Sequence, residues 1–443
     1  MPGSPDAPVF THTGFLGQTV PFHAITYDKA GVCTSPATRD AVLRLIRDGG
    51  YTDTILFSHG WNNDWDDAMR LYRAFMEGVC AMADQRGDIL PGGIKPMFLG
   101  VSWPSAALLW PWEETPDLAA GTPGPVEESA DAELLREDMD PEEAEALTAF
   151  LNGKETLSGP ELARLSDLLA PQFAHPDEDE TETAAPFTAR DLEHTFRSAD
   201  ILVEGPEDDD GGFDSGGTID DTPTHDPKAA GGPLSGVFGL RKALRMATVL
   251  KMKDRGGVVG ANGVATLLQR VLGETGTRLH LVGHSYGAKV TMTALSRVQA
   301  PRAVESVLLL QPAVNHLAFS PDVEGRPGGF RKVLERCRKP VLTTRSKNDI
   351  PLRHVFHLAV RRRSDLGEMQ FASGVSQFAA MGGYGPHELA PGELLEVTLP
   401  DRGITYPDLS GHAVIDLNGD GRITGHSDVT NPYTFWAMLQ NLR

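Results

Sequence analysis

Residues 283–287 read Gly-His-Ser-Tyr-Gly, between an apolar stretch at 279–282 and a helix-forming stretch that follows. A serine hydroxyl is a poor nucleophile unless a nearby base accepts its proton, and it must be presented by a sharp strand-to-helix turn. Glycine at 283 and 287 permits such a turn, because a Cβ at either position would clash. The motif therefore predicts a nucleophilic Ser285, exposed above the end of a strand. An ordinary tight turn is the alternative.

The acid and base that a nucleophilic serine needs are found downstream. A predicted strand at 341–345 runs into a loop that holds Asp349, just past the strand's C-terminal end. Two histidines compete for the role of base: His426 lies in a loop before a predicted C-terminal helix, whereas His412 enters a predicted strand. Ser, then Asp, then His is the chain order of an α/β-hydrolase triad. We predict Ser285, Asp349 and His426 as catalytic residues, with His412 as the rival base.

Acyl transfer also needs an oxyanion hole, a pair of backbone N–H groups aimed at the developing negative charge. The N–H of Tyr286, directly after the nucleophile, is one predicted donor. The second is expected from a loop after an early strand, where residues 59–63 read His-Gly-Trp-Asn-Asn, and Trp61 is the predicted donor. His59 could act as a base, but a histidine before a loop glycine more often braces the loop. We assign His59 and Gly60 to loop support.

Three motifs together resemble those of bacterial lipase-like α/β-hydrolases of poorly defined function. The motifs are His-Gly-Trp-Asn-Asn at 59–63, Ser-Trp-Pro-Ser at 102–105 and His-Ser-Tyr-Gly at 284–287. The resemblance covers about residues 20–105 and 240–350, together with the C-terminal histidine region. It implies an α/β-hydrolase fold and a triad of Ser285, Asp349 and His426. A long acidic insertion departs from the family's pattern, and the resemblance does not supply a substrate.

The elements that must position these residues alternate along the chain. Strands are predicted at 20–27, 54–58, 97–102, 279–282, 306–311 and 341–345, and helices at 37–48, 64–86, 263–272 and 288–298. This alternation predicts the α/β class, with a mostly parallel sheet covered by helices on both faces. With 443 residues, of which 40% are hydrophobic, the chain is long enough to bury a large core.

The alternation stops between residues 105 and 233, and the net charge of −21 is concentrated there. Residues 111–240 hold 33 of the 61 acidic side chains but only 6 of the 40 basic ones. We therefore predict a hydrolase core at 1–104 and 234–443 and an acidic insertion at 105–233 that forms a cap or lid. A solvated acidic loop with no role at the site is the alternative.

The insertion is predicted to contain two helices, at 141–151 and from Gly159 onward. Around them lie an acidic run at 177–180 and a Gly/Asp/Pro-rich stretch at 205–232, typical of a flexible loop or linker. An apolar run at 106–112 opens the segment and favours a lipid or other apolar acyl chain as substrate, although the same run could belong to the core.

A second motif suggests calcium. Asp416, Asn418 and Asp420 occupy positions 1, 3 and 5 of a calcium loop, with glycine at position 6. Position 12 is Ser427 instead of the usual glutamate, and an Asn-Gly or Asp-Gly turn explains the same residues without a metal. Calcium is thus expected only in a structural role, and the chemistry itself requires no cofactor.

The amino-acid composition limits which kinds of partner are expected. An acidic chain without clustered Lys and Arg is not expected to bind nucleic acid. Cys33, Cys80 and Cys337 are far apart and lack metal spacing, which predicts neither a disulfide framework nor a zinc site. No signal peptide or transmembrane stretch is found, so a cytoplasmic location is expected, with signal-independent export left open. The sequence does not indicate an oligomeric state.

Together these patterns predict a serine hydrolase that cleaves small-molecule or lipid carboxylic esters, with esterase and lipase both open. The hypothesis from another class is a non-catalytic protein of the α/β-hydrolase fold. Such a protein would bind a basic partner through the acidic insertion, with or without calcium.

Overall fold

A computed structural model of the chain describes residues 4–61, 63–105, 125–173, 188–202, 237–323, 325–356, 378–401 and 403–443. These residues divide into two compact units. The first unit holds the described residues up to 105 and from Val249 onward, and the second holds those from 125 to Thr248. The second unit therefore continues past 233, where the sequence pattern ends the insertion.

Three predicted features lie outside the described residues. They are the apolar run at 106–112, the acidic run at 177–180 and the Gly/Asp/Pro-rich stretch at 205–232. The role of the insertion as a cap or lid accordingly stays a prediction.

The strands are, in chain order, β1 (Phe10–Gly14), β2 (Gln18–Thr26), β3 (Asp53–Ser58), β4 (Pro96–Ser102), β5 (Thr156–Ser158), β6 (Val237–Gly239), β7 (Arg278–His284), β8 (Ser306–Leu310), β9 (Val341–Arg345), β10 (Leu394–Thr398) and β11 (Val414–Asn418). Over the described residues, nine of them form one sheet in the first unit, in the order β1-β2-β4-β3-β7-β8-β9-β11-β10. Only β1 pairs antiparallel with its neighbour in this sheet; the other pairs are parallel.

The helices are α1 (Pro36–Asp48), α2 (Trp65–Arg86), α3 (Ala130–Arg136), α4 (Pro141–Leu151), α5 (Gly159–Leu169), α6 (Ala189–Leu202), α7 (Leu240–Val258), α8 (Ala265–Glu274), α9 (Tyr286–Arg297), α10 (Met381–Tyr384) and α11 (Pro432–Leu442). The prediction of an α/β protein with a mostly parallel sheet flanked by helices is confirmed. Among the described residues, no helix has both the length and the apolar character needed to span a bilayer.

The core of the first unit follows from the alternation of side chains between the two faces of each strand. Alternate residues such as Ile55 and Phe57 of β3 point to the same face, where they pack with Phe75 of α2 and Trp436 of α11. Helix α2 begins directly after the His-Gly loop because Asp64 caps it, accepting the backbone N–H of Asp67 at 2.8 Å. This cap fixes the point at which the loop ends.

The second unit is larger than the predicted helix pair. Both predicted helices are present, as α4 and α5, but α3, α6 and an antiparallel pair of strands, β5 and β6, accompany them. Asp131 of α3 is buried because Arg245 of α7 pairs with its carboxylate at 3.0 Å and Thr248 donates to it at 2.9 Å. These local bonds join the start of α7 to this unit.

Candidate active site

Ser285 alone forms the turn between β7 and α9. Its φ of 53° lies in the left-handed region, which costs a residue with a side chain about 1 kcal/mol or more. Three backbone hydrogen bonds hold this conformation. The Ser285 N–H donates to the carbonyl of Leu310 at 3.2 Å, and its own carbonyl accepts from Ala288 at 3.0 Å and Ala313 at 3.2 Å. The chain therefore forms the sharp strand-to-helix turn that the motif predicts.

The two glycines of the motif leave room for neighbouring backbone. A Cβ at Gly283 would lie 2.6 Å from the Cα of Ala288, and a Cβ at Gly287 would overlap the carbonyl oxygens of Ser58 and His59. Because the obstructing atoms are backbone, they cannot move aside as the end of a side chain can. Glycine is thus required at both positions for the reason that the sequence suggests.

Gly287→Ala is expected to lower the free energy of unfolding by about 1–3 kcal/mol, as overpacking does. Gly273→Ala in α8 is the matched control, since nothing lies within 4 Å of a Cβ there and alanine is the better helix former. Urea denaturation measures both variants. Equal losses would contradict the steric explanation.

The three residues predicted as a triad are joined by hydrogen bonds. The Oγ of Ser285 lies 2.9 Å from Nε2 of His426, and Nδ1 of His426 lies 2.8 Å from Oδ2 of Asp349. A carboxylate can only accept, so Nδ1 of His426 carries the hydrogen and Nε2 accepts from the serine hydroxyl. This is the arrangement in which an imidazole can take the proton of an attacking serine.

Asp349 follows β9 in a loop and is fully buried. Its Oδ1 accepts the backbone N–H of Leu352 at 3.0 Å, while Oδ2 accepts from His426. Because both oxygens are engaged, the carboxylate cannot rotate without losing a bond. The loop thus fixes the orientation of the acid.

The expectation of an exposed serine is wrong. Ser285 is only 2% exposed, because the loop at Gly60 and the imidazole of His426 lie against it. A Cβ at Gly60 would come within 2.6 Å of the Cβ of Ser285. A strand-to-helix turn exposes its central residue only where no other loop covers it.

His412, the rival base, lies elsewhere. It precedes β11, whereas the loop that holds His426 follows the same strand. Its Nδ1 donates to the carbonyl of Gly392 at 2.9 Å. Of the two candidate histidines, the structure brings His426 to Ser285.

The predicted oxyanion residues lie beside the nucleophile. Tyr286 is the first residue of α9, and the N–H groups of a first turn point out of the helix N-terminus. Gly60 packs against Ser285, and Trp61 follows it in the same loop. Asn63 holds this loop, because its Nδ2 donates to the carbonyls of Gly60 at 3.2 Å and Trp61 at 3.0 Å.

His59 braces the loop from within the core. Its Nδ1 donates to the carbonyl of Gly60 at 2.8 Å, which leaves Nε2 to accept the backbone N–H of Trp103 at 3.4 Å. The His59 ring stacks on the Trp103 indole, with centroids 5.5 Å apart. Burial lowers the pKa of His59 to about 4, against a smaller opposing effect of the bond to Gly60. One ring nitrogen of His59 thus holds the loop at Gly60, and the other accepts from the segment that follows β4.

The depressed pKa of His59 predicts that acid weakens the fold. An unfolded chain takes up this proton near the ordinary pKa of about 6.5, whereas the folded protein resists it until about pH 4. The contribution of neutral His59 is therefore complete above pH 6.5 and is lost as the pH falls toward 4, by at most about 1.4 kcal/mol per pH unit. Urea denaturation from pH 7 to 4.5 should show a smaller slope for His59→Gln than for the wild type. Parallel slopes would contradict this assignment.

Two residues of the site were not predicted as functional, His284 and Gln311. The Nε2 of His284 lies 3.0 Å from the backbone carbonyl of His426, and Nε2 of Gln311 lies 2.9 Å from the same oxygen. Both side chains are buried. His284 ends a buried strand and Gln311 follows one, both at the edge of the sheet where the site forms. A polar residue at such a position is the only feature of the sequence that could have indicated their role.

A second Ser-His-Asp chain of hydrogen bonds lies near the start of β7. His280 receives a bond from Ser306 at 2.8 Å on Nδ1 and donates to Asp53 at 3.0 Å from Nε2. Burial would raise the pKa of Asp53, but bonds from His280, Arg278 and Thr52 outweigh it and lower the pKa to about 2. All three members are fully buried and lie at the opposite edge of the sheet from Ser285. The imidazole of His280 is fully buried, whereas that of His426 is 13% exposed, so this arrangement has the bonds of a triad without its access to solvent.

The residues of the predicted calcium loop do not fit a calcium site. The carboxylate of Asp416 pairs with the guanidinium of Arg345 at 2.6 Å. The positive charge of Arg345 at this position would repel a calcium ion. Oδ1 of Asp420 accepts the backbone N–H of Lys347 at 2.7 Å, and Asn418 accepts that of Asp420 at 3.0 Å. In the part of the chain that the structure describes, no group of three or more His, Cys, Asp or Glu side chains could hold a metal ion.

The same turn instead connects the loop after β9 that holds Asp349 (the acid loop) with the loop between β11 and α11 that holds His426 (the base loop). Besides the bond from Lys347 to Asp420, Ser346 and Asn348 both donate to the carbonyl of Ile423, at 2.8 and 2.9 Å. The segment just before Asp349 is thus tied to the segment just before His426. These bonds explain the turn without a metal.

Comparisons with protein-family models, with curated proteins and with solved structures found no match to this chain. The fold and the site define an α/β protein with a mostly parallel sheet, in which Ser285, His426 and Asp349 are hydrogen-bonded at the C-terminal edge.

Proposed function

We propose that this protein is a serine hydrolase of the α/β-hydrolase fold that cleaves carboxylic esters. The observation that carries the proposal is the pair of hydrogen bonds from Ser285 to His426 and from His426 to Asp349, formed at a serine with a φ of 53°. The motif order and the parallel sheet support it further. The resemblance to lipase-like hydrolases favours esters over other acyl compounds.

In the proposed reaction, Oγ of Ser285 attacks the ester carbonyl and its proton passes to Nε2 of His426. Asp349 holds the imidazole in position and stabilises the imidazolium that forms. The N–H groups of Trp61 and Tyr286 stabilise the tetrahedral oxyanion. The oxyanion then collapses, the C–O bond to the alcohol breaks, and His426 returns the proton to the leaving alcohol.

The second half of the reaction releases the acid. A water molecule gives its proton to His426 and attacks the acyl-enzyme, and collapse of the second intermediate returns the proton to Ser285. Protein side chains and backbone groups supply each step. The proposal accordingly needs no metal for the chemistry.

Hydrolysis of p-nitrophenyl esters with acyl chains of two to twelve carbons tests this proposal. We expect turnover by the wild type with a burst of nitrophenolate where deacylation is slow, and a rate roughly a million-fold lower for Ser285→Ala. Preference for long chains would favour a lipase and preference for short chains an esterase. Background rates for the folded wild type across the series would contradict ester hydrolysis.

The second candidate function is binding of a basic partner without catalysis. The concentration of 33 acidic against 6 basic residues at 111–240 favours it, because such a segment attracts cations electrostatically. Oligolysine is a suitable probe, and its binding should weaken steeply with salt. Salt-sensitive binding together with an inert Ser285 would favour this function over hydrolysis.

A further inference from the structure

The backbone carbonyl of His426 lies within hydrogen-bond distance of two buried side chains, those of His284 and Gln311. We propose that His284 and Gln311 form a clamp that grips this carbonyl and positions the base for proton transfer from Ser285. The inference rests on the proposed function, since it assigns these two residues a positioning role in the same reaction.

Gln311 makes more of the hydrogen bonds of the clamp than His284 does. Its Nε2 lies 2.6 Å from the carbonyl of Gly425, 2.9 Å from that of His426 and 3.4 Å from Oδ2 of Asp349. One amide thus reaches both the base loop and the acid. An amide nitrogen has only donor hydrogens, and each of these partners can only accept, so the orientation of the side chain is fixed.

The backbone of Gln311 is itself held in an unusual conformation. Its φ of 42° lies in the left-handed region, and its N–H donates to Oγ1 of Thr344 at 2.9 Å. Left-handed backbone at a residue with a side chain persists only where the surroundings enforce it. Here it turns the side chain of Gln311, which is fully buried, toward the base loop.

His284 completes the clamp from the strand that carries the nucleophile. Its Nε2 lies 3.0 Å from the carbonyl of His426, and since a carbonyl only accepts, this nitrogen bears the hydrogen. Burial, and next the charge that His426 would carry, lower the pKa of His284 to about 3. His284 therefore remains a neutral donor wherever His426 works as a base.

The clamp links the base to the sheet. His426 lies in a loop between β11 and α11, so the strand ladder does not hold it. His284 immediately precedes Ser285 at the end of β7, and Gln311 immediately follows β8, the neighbouring strand. The imidazole is thereby fixed relative to the serine that it must deprotonate, and an error of about 1 Å in such a position costs about 100-fold in rate.

Methionine variants test the clamp, because methionine fills a similar volume without a donor. Gln311→Met and His284→Met should lower kcat for p-nitrophenyl butyrate by about 10–100-fold and leave KM within about 3-fold. His284→Gln should recover most of the rate, since its amide nitrogen reaches close to the position of Nε2. If the two residues had a purely structural role, the methionine variants would lose folded protein. They would not show a lower kcat at nearly constant KM, and His284→Gln would not restore the rate.

His412→Met is the matched control. It removes a histidine-to-carbonyl bond of the same kind, to Gly392, away from Ser285. Its kcat should equal that of the wild type. The melting temperature of each variant shows whether it is folded.

The outcomes separate the clamp from the proposed function. Folded methionine variants with wild-type kcat would overturn the clamp alone, whereas an inert wild type would overturn the proposed function and the clamp with it. If a methionine variant does not fold, His284→Gln and His284→Asn decide, because only the longer amide reaches the carbonyl. Equal kcat in those two would overturn the clamp.

Discussion

Ser285→Ala is expected to lower kcat for ester hydrolysis by roughly a million-fold. In the proposed reaction Oγ of Ser285 forms the bond to the acyl group, and neither His426 nor Asp349 can replace it. A residual rate above that in water is expected, because the proposed oxyanion donors remain. Steady-state hydrolysis of p-nitrophenyl butyrate measures the loss, and calorimetry checks that the variant is folded.

The second Ser-His-Asp arrangement supplies a stringent control for this result. Ser306 donates to His280 as closely as Ser285 approaches His426, at 2.8 against 2.9 Å, but it lies at the other edge of the sheet, beside an imidazole that is fully buried. Ser306→Ala should therefore keep the wild-type kcat. A large fall for Ser306→Ala with no fall for Ser285→Ala would show that the site is misassigned.

His426→Ala is expected to lower kcat by about 10⁴–10⁶-fold, whereas His412→Ala should remain within 2-fold of the wild type. The difference follows from geometry, because His426 lies 2.9 Å from Oγ of Ser285 and His412 is bonded to Gly392. The same ester assay compares the two variants.

The pair of histidine variants distinguishes the two predicted bases. Loss of activity only in His412→Ala would make that residue the base and would contradict the arrangement at Ser285. Equal losses in both variants would point to a general effect on folding, which their melting temperatures would reveal.

The local parts of the site could be predicted from the sequence. The motif indicates the turn at Ser285, because a Cβ at Gly283 would meet the backbone of Ala288, five residues further along. Gly287 instead faces the backbone of Ser58 and His59 in a distant segment, which the motif alone does not show. The prediction of Asp349 as the acid likewise depends on its place just after a strand, because the functional loops of a parallel sheet lie at the C-terminal ends of its strands. Such features depend on local pattern and chain order.

The contacts between distant segments could not be predicted in the same way. Gln311 reaches Gly425 and His426 across more than a hundred residues, and only the folded strand order brings them together. The burial of Ser285 has the same origin, since it depends on the approach of Gly60 from another strand. Periodicity along one strand contains no information on which loop will cover its end.

The loop at 416–423 shows how one pattern allows two structures. Asp416, Asn418 and Asp420 have the spacing of calcium ligands, but the same spacing suits a turn whose side chains accept backbone N–H groups. The deciding group is Arg345, 71 residues away, whose guanidinium pairs with Asp416. Its position could not be read from the motif.

Mapping the adduct of a fluorophosphonate probe by mass spectrometry tests directly whether Ser285 is an activated nucleophile. Such probes react with serines that an adjacent base activates. The proposed triad predicts one adduct, on the peptide that contains Ser285, and its loss in both Ser285→Ala and His426→Ala. No adduct on the folded wild type, or an adduct on another serine such as Ser306, would contradict it.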